Sequence, residues 1–246
     1  MRLIPALLCV VVGLGCRYHS GPEVSRIEAR PSAPTLAIEP GTHQLGLGRV
    51  FYRGTWRDGT LFIPARAASM TVPLLVLLHG GGGRASDFDF MLPLGEEFGV
   101  ALLLLDSRHN TWDGIDSPFG PDIRFIDEAL RHTFARVPVD PTRLALGGLS
   151  DGGMYALSVG VANGDLFTHL AAVAPGYIDP PGPPVGQPKM FLAHGARDNV
   201  YSISGSRTRL LPALQRAGYE VTYVEFDGPH FMTPPAARAM LAWLVK

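Results

Sequence analysis

The chain has 246 residues, 46% of them hydrophobic and 17% charged, with a formal net charge of −1. That is enough apolar material for one sizeable core in one domain, and a near-neutral chain without basic clusters argues against nucleic acid as a partner. No apolar run reaches the roughly 18–20 residues that a membrane-spanning helix needs.

Residues 1–15 differ from the rest. Met1-Arg2 gives a short positive start, Leu3 to Leu14 is almost wholly apolar, and Gly13-Leu14-Gly15-Cys16 ends the run. This reads as a signal peptide. Small residues directly before Cys16 resemble the lipobox of bacterial lipoproteins, although Gly13 stands where that motif carries leucine. The resemblance implies lipidation of Cys16 and an exported protein held at a membrane, periplasmic or at the cell surface; ordinary cleavage would give a secreted one. The 2 cysteines, Cys9 and Cys16, both lie here, so the mature domain has no disulfide and no thiol nucleophile. Residues 16–48 are polar, hold Pro22, Pro31, Pro34 and Pro40, and read as a tether. The domain proper is expected over residues 49–246.

Strands near Arg49–Arg53 and Thr60–Ile63 suggest a hairpin turning at Arg57-Asp58-Gly59. Val72 to Leu78 runs apolar without alternation, as a strand buried on both faces does, and passes through His79 into Gly80-Gly81-Gly82-Gly83. A helix around Ala85–Phe98, a strand Gly99–Leu105 and a helix with the apolar stripe Ile123, Ile126, Leu130 and Phe134 follow. After the strand that ends at Leu149 and its helix come strands Leu170–Ala174, Lys189–His194 and Glu220–Phe226, and a last helix opening near Pro234. Between them a helix over Ser202–Ala217 must kink or shorten at Pro212. Strands alternating with helices predict a mostly parallel sheet covered on both faces, with its ligand beyond the carboxyl ends of the strands. His79, Asp106, Ser150, Asp198 and His230 all fall at such ends.

The chain is organised around Gly148-Leu149-Ser150-Asp151-Gly152, a G-x-S-x-G segment between an apolar run and a helical pattern (Met154, Leu157, Val161). A serine on a tight strand-to-helix turn sits in strained backbone geometry, so the residues two before and two after must lack a Cβ. A serine hydroxyl attacks well only if a base removes its proton. Of the 8 histidines, His19 and His43 lie in the tether, His132 in a helix and His109 in a loop. His79 and His194 end buried strands and shape their turns. His230, in the loop after the last strand, is the candidate base. Asp198 is the candidate acid; Asp227, three residues before His230, is the rival. The N–H of Asp151 and that of Gly81, with Gly80 and Gly82 close behind, are the candidate oxyanion donors. A phosphate-binding reading of the glycine loop fails for want of a lysine at the right spacing.

Ser150, Asp198 and His230 follow the order Ser…Asp…His, and with the glycine loop and the Gly228-Pro229-His230 turn the chain resembles the α/β-hydrolase superfamily over roughly residues 50–246. Within it the chain looks like bacterial phospholipase/carboxylesterases and polyhydroxybutyrate-depolymerase-like esterases. The resemblance implies an ester hydrolase with a small-molecule or polymeric substrate and no metal or cofactor. Asp151 departs from the neutral residue many relatives carry, and should disfavour anionic substrates. Pro175–Pro188 is too short for a large lid, and Trp112 and Tyr177 are candidate walls of an open site. An amidase or peptidase with the same three residues, and a non-catalytic binding lipoprotein of this fold, are the other readings.

Overall fold

The computed structural model describes residues 25–246; residues 1–15 and Cys16 lie outside it. An eight-stranded sheet runs in the order β1-β4-β6-β5-β7-β8-β9-β10. Its strands are β1 (Gly41–Gln44), β4 (Gly59–Ile63), β5 (Val72–Leu78), β6 (Ala101–Leu105), β7 (Val139–Leu149), β8 (His169–Val173), β9 (Lys189–Gly195) and β10 (Val221–Phe226). From β6 through β10 every neighbouring pair is parallel, while β1–β4 and β4–β6 are antiparallel. The central strand β5 is buried throughout because it faces two cores. Leu74, Val76 and Leu78 join one cluster, with Ile123, Ile126 and Leu130 of α2 (Pro121–Phe134) and Tyr155 and Leu157 of α3 (Asp151–Ala162). Leu75 and Leu77 join the other, with Met240, Leu241 and Leu244 of α6 (Pro234–Leu244) and, at its edge, Leu94 and Phe98 of α1 (Leu92–Phe98). Burying each such side chain contributes about 1.5–3 kcal/mol.

Three local expectations need correction. Residues 25–48 do not form a free tether. Ile27 and Ala29 are buried in the first core, and their backbone is held by side chains. Asn163 accepts from the Ile27 N–H at 2.8 Å and donates to the Ser25 carbonyl at 2.8 Å, while Asp127 accepts from the N–H groups of Glu28 and Ala29. Gly41–Gln44 then adds an edge strand to the sheet. The alternation Ile27-Glu28-Ala29-Arg30 was the available signal. The hairpin is also shifted: β2 (Val50–Tyr52) pairs with β3 (Thr55–Arg57) about a turn at Arg53-Gly54, outside the main sheet, and β4 belongs with β1 and β6. Arg53 and Gly54 both have positive φ, 46° and 84°, the conformation that such a two-residue turn requires. Finally, the helix carrying Pro212 is broken into α4 (Ile203–Gly205), a wider turn over Ser206–Leu210 and α5 (Leu211–Arg216), because proline has no N–H for the carbonyl four residues back.

Candidate active site

Ser150 stands between β7 and α3 with φ 54° and ψ −120°, a region that non-glycine residues avoid. Its N–H donates to the Val173 carbonyl at 2.9 Å, and its own carbonyl accepts from Met154 at 2.8 Å, so the strand and the helix grip the turn from either side. The flanking glycines are forced by packing. A Cβ on Gly148 would overlap the backbone of Gly152, and one on Gly152 would overlap the Leu78 carbonyl. This steric requirement is what makes the pentapeptide informative.

Asp198 and His230 come together from the loops after β9 and β10. The Nδ1 of His230 lies 2.7 Å from Asp198 Oδ2, and the aspartate's Oδ1 accepts from the N–H groups of Val200 at 2.8 Å and Tyr201 at 2.9 Å. The Asp198 side chain is wholly buried. Burial by itself would raise its pKa, but the bonds from His230, Val200 and Tyr201 outweigh that and hold it below the usual carboxylate value. An ionised Asp198 fixes Nδ1–H on the ring and leaves Nε2 as the proton acceptor. The rival Asp227 points away: its side chain is 79% exposed and pairs with Arg197 at the surface.

His194 does more than shape a turn. Its Nε2 lies 2.8 Å from the Tyr201 carbonyl and 3.0 Å from Asp198 Oδ2, and its Nδ1 lies 2.8 Å from the Ser206 hydroxyl. Nε2 therefore carries the hydrogen, and His194 braces the acid from behind. Sequence reasoning missed this because His194 precedes a glycine at a strand end, as any turn residue does.

On the other side of the serine, the Gly82 N–H donates to the Asn110 carbonyl at 2.7 Å and that of Gly83 to the Gly80 carbonyl at 2.9 Å. Both are committed, which leaves Gly81 and Gly80 as candidate donors facing the N–H of Asp151. Gly80 lies close under the serine, where an added Cβ would stand 3.4 Å from that of Ser150. His79 is buried behind the loop: its Nε2 accepts from the Ser107 N–H at 3.0 Å, so its Nδ1–H donates to the Gly80 carbonyl at 2.7 Å. Burial keeps His79 neutral by lowering its pKa. Trp112, expected as a possible wall, is instead fully buried, its indole N–H donating to the His79 carbonyl at 2.8 Å. Tyr177 remains half-buried beside the cleft. Among the described residues no group of histidine, cysteine and carboxylate side chains could hold a metal ion.

No family model matches the chain. Solved structures do. The fluorophosphonate-binding serine hydrolase F of Staphylococcus aureus, with substrate bound, aligns over 85% of this chain and 100% of its own with a TM-score of 0.64 at 14% identity. The S-formylglutathione hydrolase of the same organism aligns over 83% and 99%, with a TM-score of 0.64 at 13% identity. The fold is that of the α/β hydrolases. A carboxylesterase of Bacillus cereus shares it over 76% of this chain and 93% of its own, with a TM-score of 0.57 at 19% identity. In sequence, the chain is 28% identical over 147 residues to a Nocardia uniformis subsp. tsuyamanensis protein named "Putative esterase NocK", a match to 55% of this chain and 43% of that protein. The chain thus spans less than half the length of this curated relative. In the α/β-hydrolase fold the ligand side is the carboxyl edge of the parallel strands, and Ser150, Asp198 and His230 all stand there, after β7, β9 and β10.

Proposed function

We propose that this protein is a serine hydrolase of carboxylic esters that works through an acyl-enzyme on Ser150. The observation that carries this reading is the serine on its strained elbow at φ 54°, on the same edge of the sheet as a histidine whose Nδ1 is tied to a buried carboxylate at 2.7 Å. Ser150 Oγ attacks the ester carbonyl carbon while His230 Nε2 takes its proton. The tetrahedral oxyanion is held by the N–H groups of Asp151 and Gly81, each donor contributing about 3–4 kcal/mol. His230 returns the proton to the departing alcohol, and the acyl group stays on Ser150. Water, deprotonated by the same imidazole, then frees the acid. Asp198 keeps the tautomer and stabilises the imidazolium. The sequence relative and the structural relatives support the class of reaction.

Ser150→Ala is expected to end both hydrolysis of nitrophenyl esters and labelling by a fluorophosphonate, with unchanged thermal unfolding. An alanine variant that still takes the label would overturn the assignment. Matched ester and amide substrates separate an esterase from an amidase.

Residues 1–16 lie outside the described structure, and their sequence supports a second proposal. The chain is exported behind a signal peptide over residues 1–15 and anchored to a membrane by a lipid on Cys16. Globomycin-sensitive processing and a lipid-bearing Cys16 at the new N-terminus are the expected results; a different mature N-terminus refutes it.

A further inference from the structure

Asp151 stands directly after Ser150, and its carboxylate has no task in the reaction proposed above. Its Oδ2 accepts a 2.6 Å bond from the Thr111 hydroxyl. The same oxygen lies against the glycine loop, 2.7 Å from where a Cβ on Gly81 would be. The charge is therefore lodged between the first turn of α3 and the loop that supplies the other oxyanion donor. Thr111 is neutral, and no arginine, lysine or histidine among the described residues pairs with Asp151. Two half-buried tyrosines share its cleft. The Tyr201 ring packs on Gly176, where a Cβ would come within 2.6 Å of it, and stands 5.7 Å from the His230 ring. Burial first, and the Asp151 charge after it, raise the Tyr201 phenol, while burial, then Tyr201 and then Asp151 raise the Tyr177 phenol to about 12. Both phenols are neutral in solution near pH 7, so the cleft offers an unneutralised carboxylate and two aromatic rings.

That combination attracts cations, since a carboxylate and the faces of aromatic rings both favour positive charge. It also hinders the proposed reaction for a neutral ester, because the Asp151 charge sits beside the position where the substrate oxygen becomes negative. A cation on the substrate cancels that opposition. We propose that Asp151 is a specificity-determining residue that makes the cleft prefer esters carrying an ammonium or quaternary ammonium group over neutral and anionic esters of the same shape. The inference rests on the esterase reading.

The test compares acetylcholine with its uncharged isostere 3,3-dimethylbutyl acetate, and a thiocholine-type phosphonate with its neutral isostere as labels of Ser150. In the wild type the cationic member of each pair should react roughly tenfold faster in kcat/KM or labelling rate at low salt, and the preference should shrink as ionic strength rises. Asp151→Asn keeps the shape and the backbone N–H, and should bring both ratios close to one, the neutral members reacting faster once the opposing charge is gone and the cationic members losing their attraction. Equal rates for the two phosphonates in the wild type overturn the proposal, as does a cationic preference that survives Asp151→Asn. Should that variant fold poorly, the salt dependence of the wild-type ratio decides alone: a ratio unmoved by salt refutes it. Failure of every phosphonate to label Ser150 overturns the esterase reading instead.

Discussion

On the flank of the cleft formed after β9 and β10, a buried carboxylate meets His230 through a few short bonds between neighbouring loops. On the flank formed after β5 and β6, the glycine loop rests on a buried polar scaffold drawn from several separate stretches of chain. Asp106 accepts from the N–H groups of Asp58 at 3.0 Å and Ala85 at 2.8 Å. Arg108 donates to the carbonyls of Asp106 at 2.8 Å and Gly48 at 3.0 Å, with its guanidinium 3.5 Å over the Phe125 ring. Asp113 accepts from the Tyr155 hydroxyl at 2.5 Å and from the N–H groups of Gly120 and Asp122, and Asp122 in turn accepts from those of Arg108 and Asp113. Trp112 and Tyr155 stack at 5.5 Å in its middle. The Nε–H groups of Arg57 and Arg108 are buried without a partner, a cost of setting two cations behind the loop. In the proposed reaction, side chains that move protons need only anchored neighbours, whereas main-chain donors must be held still by everything behind them.

The largest expected effect breaks the first flank alone. Asp198→Asn should lower kcat by about four powers of ten through the wrong tautomer and a less stable imidazolium, with a modest fall in unfolding midpoint from the loss of a buried charged acceptor. Asp227→Asn, which loses only an exposed pair with Arg197, should stay within a few-fold. The reverse pattern in steady-state kinetics would assign the acid to Asp227.

Next comes the second flank, where stability and rate should fall together. Trp112→Ala empties a fully buried site and frees the His79 carbonyl, and should cost about 3–5 kcal/mol in denaturant unfolding. Trp112→Phe keeps most of the volume and loses only the indole donor, about 1–3 kcal/mol. A full rate with a large stability loss would show that the scaffold does not position the glycine loop. Smaller again, Tyr155→Phe leaves Asp113 without its hydroxyl donor at 2.5 Å and should cost about 1–2 kcal/mol, read by thermal melts.

The smallest effect is a slope with pH, and the two flanks carry opposite signs. Burial, then the neighbouring Asp113, raise Asp122 to about 7. Between about pH 4 and 7 the unfolded chain has lost this proton and the folded one keeps it, so stability falls as pH rises through that window, by at most about 1.4 kcal/mol per unit. Asp198, held below its ordinary value, stabilises the fold above the usual aspartate range and loses that only as pH falls through its lowered pKa. Chemical denaturation at a series of pH values should show a steeper falling slope in the wild type than in Asp122→Ala, where only Asp113, also raised by burial, still contributes.

The first flank was far more legible in the sequence than the second. Asp198 and His230 each follow an apolar strand, and Asp227 ranks below Asp198 because it lies three residues before His230 in the same turn, where facing the ring is awkward. Gly81 could be placed only as one of several glycines, because which N–H groups are already spent depends on Asn110, far along the chain in another loop. Trp112 reads as a cleft wall from its polar neighbours, yet it is core, since nothing local reveals that its indole meets the carbonyl of His79.

By itself, then, the sequence determined the parts whose cause is local: buried parallel strands, from unbroken apolar runs; the elbow at Ser150, from glycines that sterics demands on both sides; and a single fold class, from the alternation of strands and helices. Tertiary structure alone decided the course of residues 25–48: Ser25 to Ala29 find their backbone partners in the side chains of Asn163 and Asp127, and Gly41–Gln44 finds its own in β4. It also decided the pairing of β2 with β3, the bracing of Asp198 by His194, and the lodging of the Asp151 charge against Gly81. Each depends on a bond between residues distant in sequence, and such a bond leaves no period, spacing or composition by which either partner announces the other.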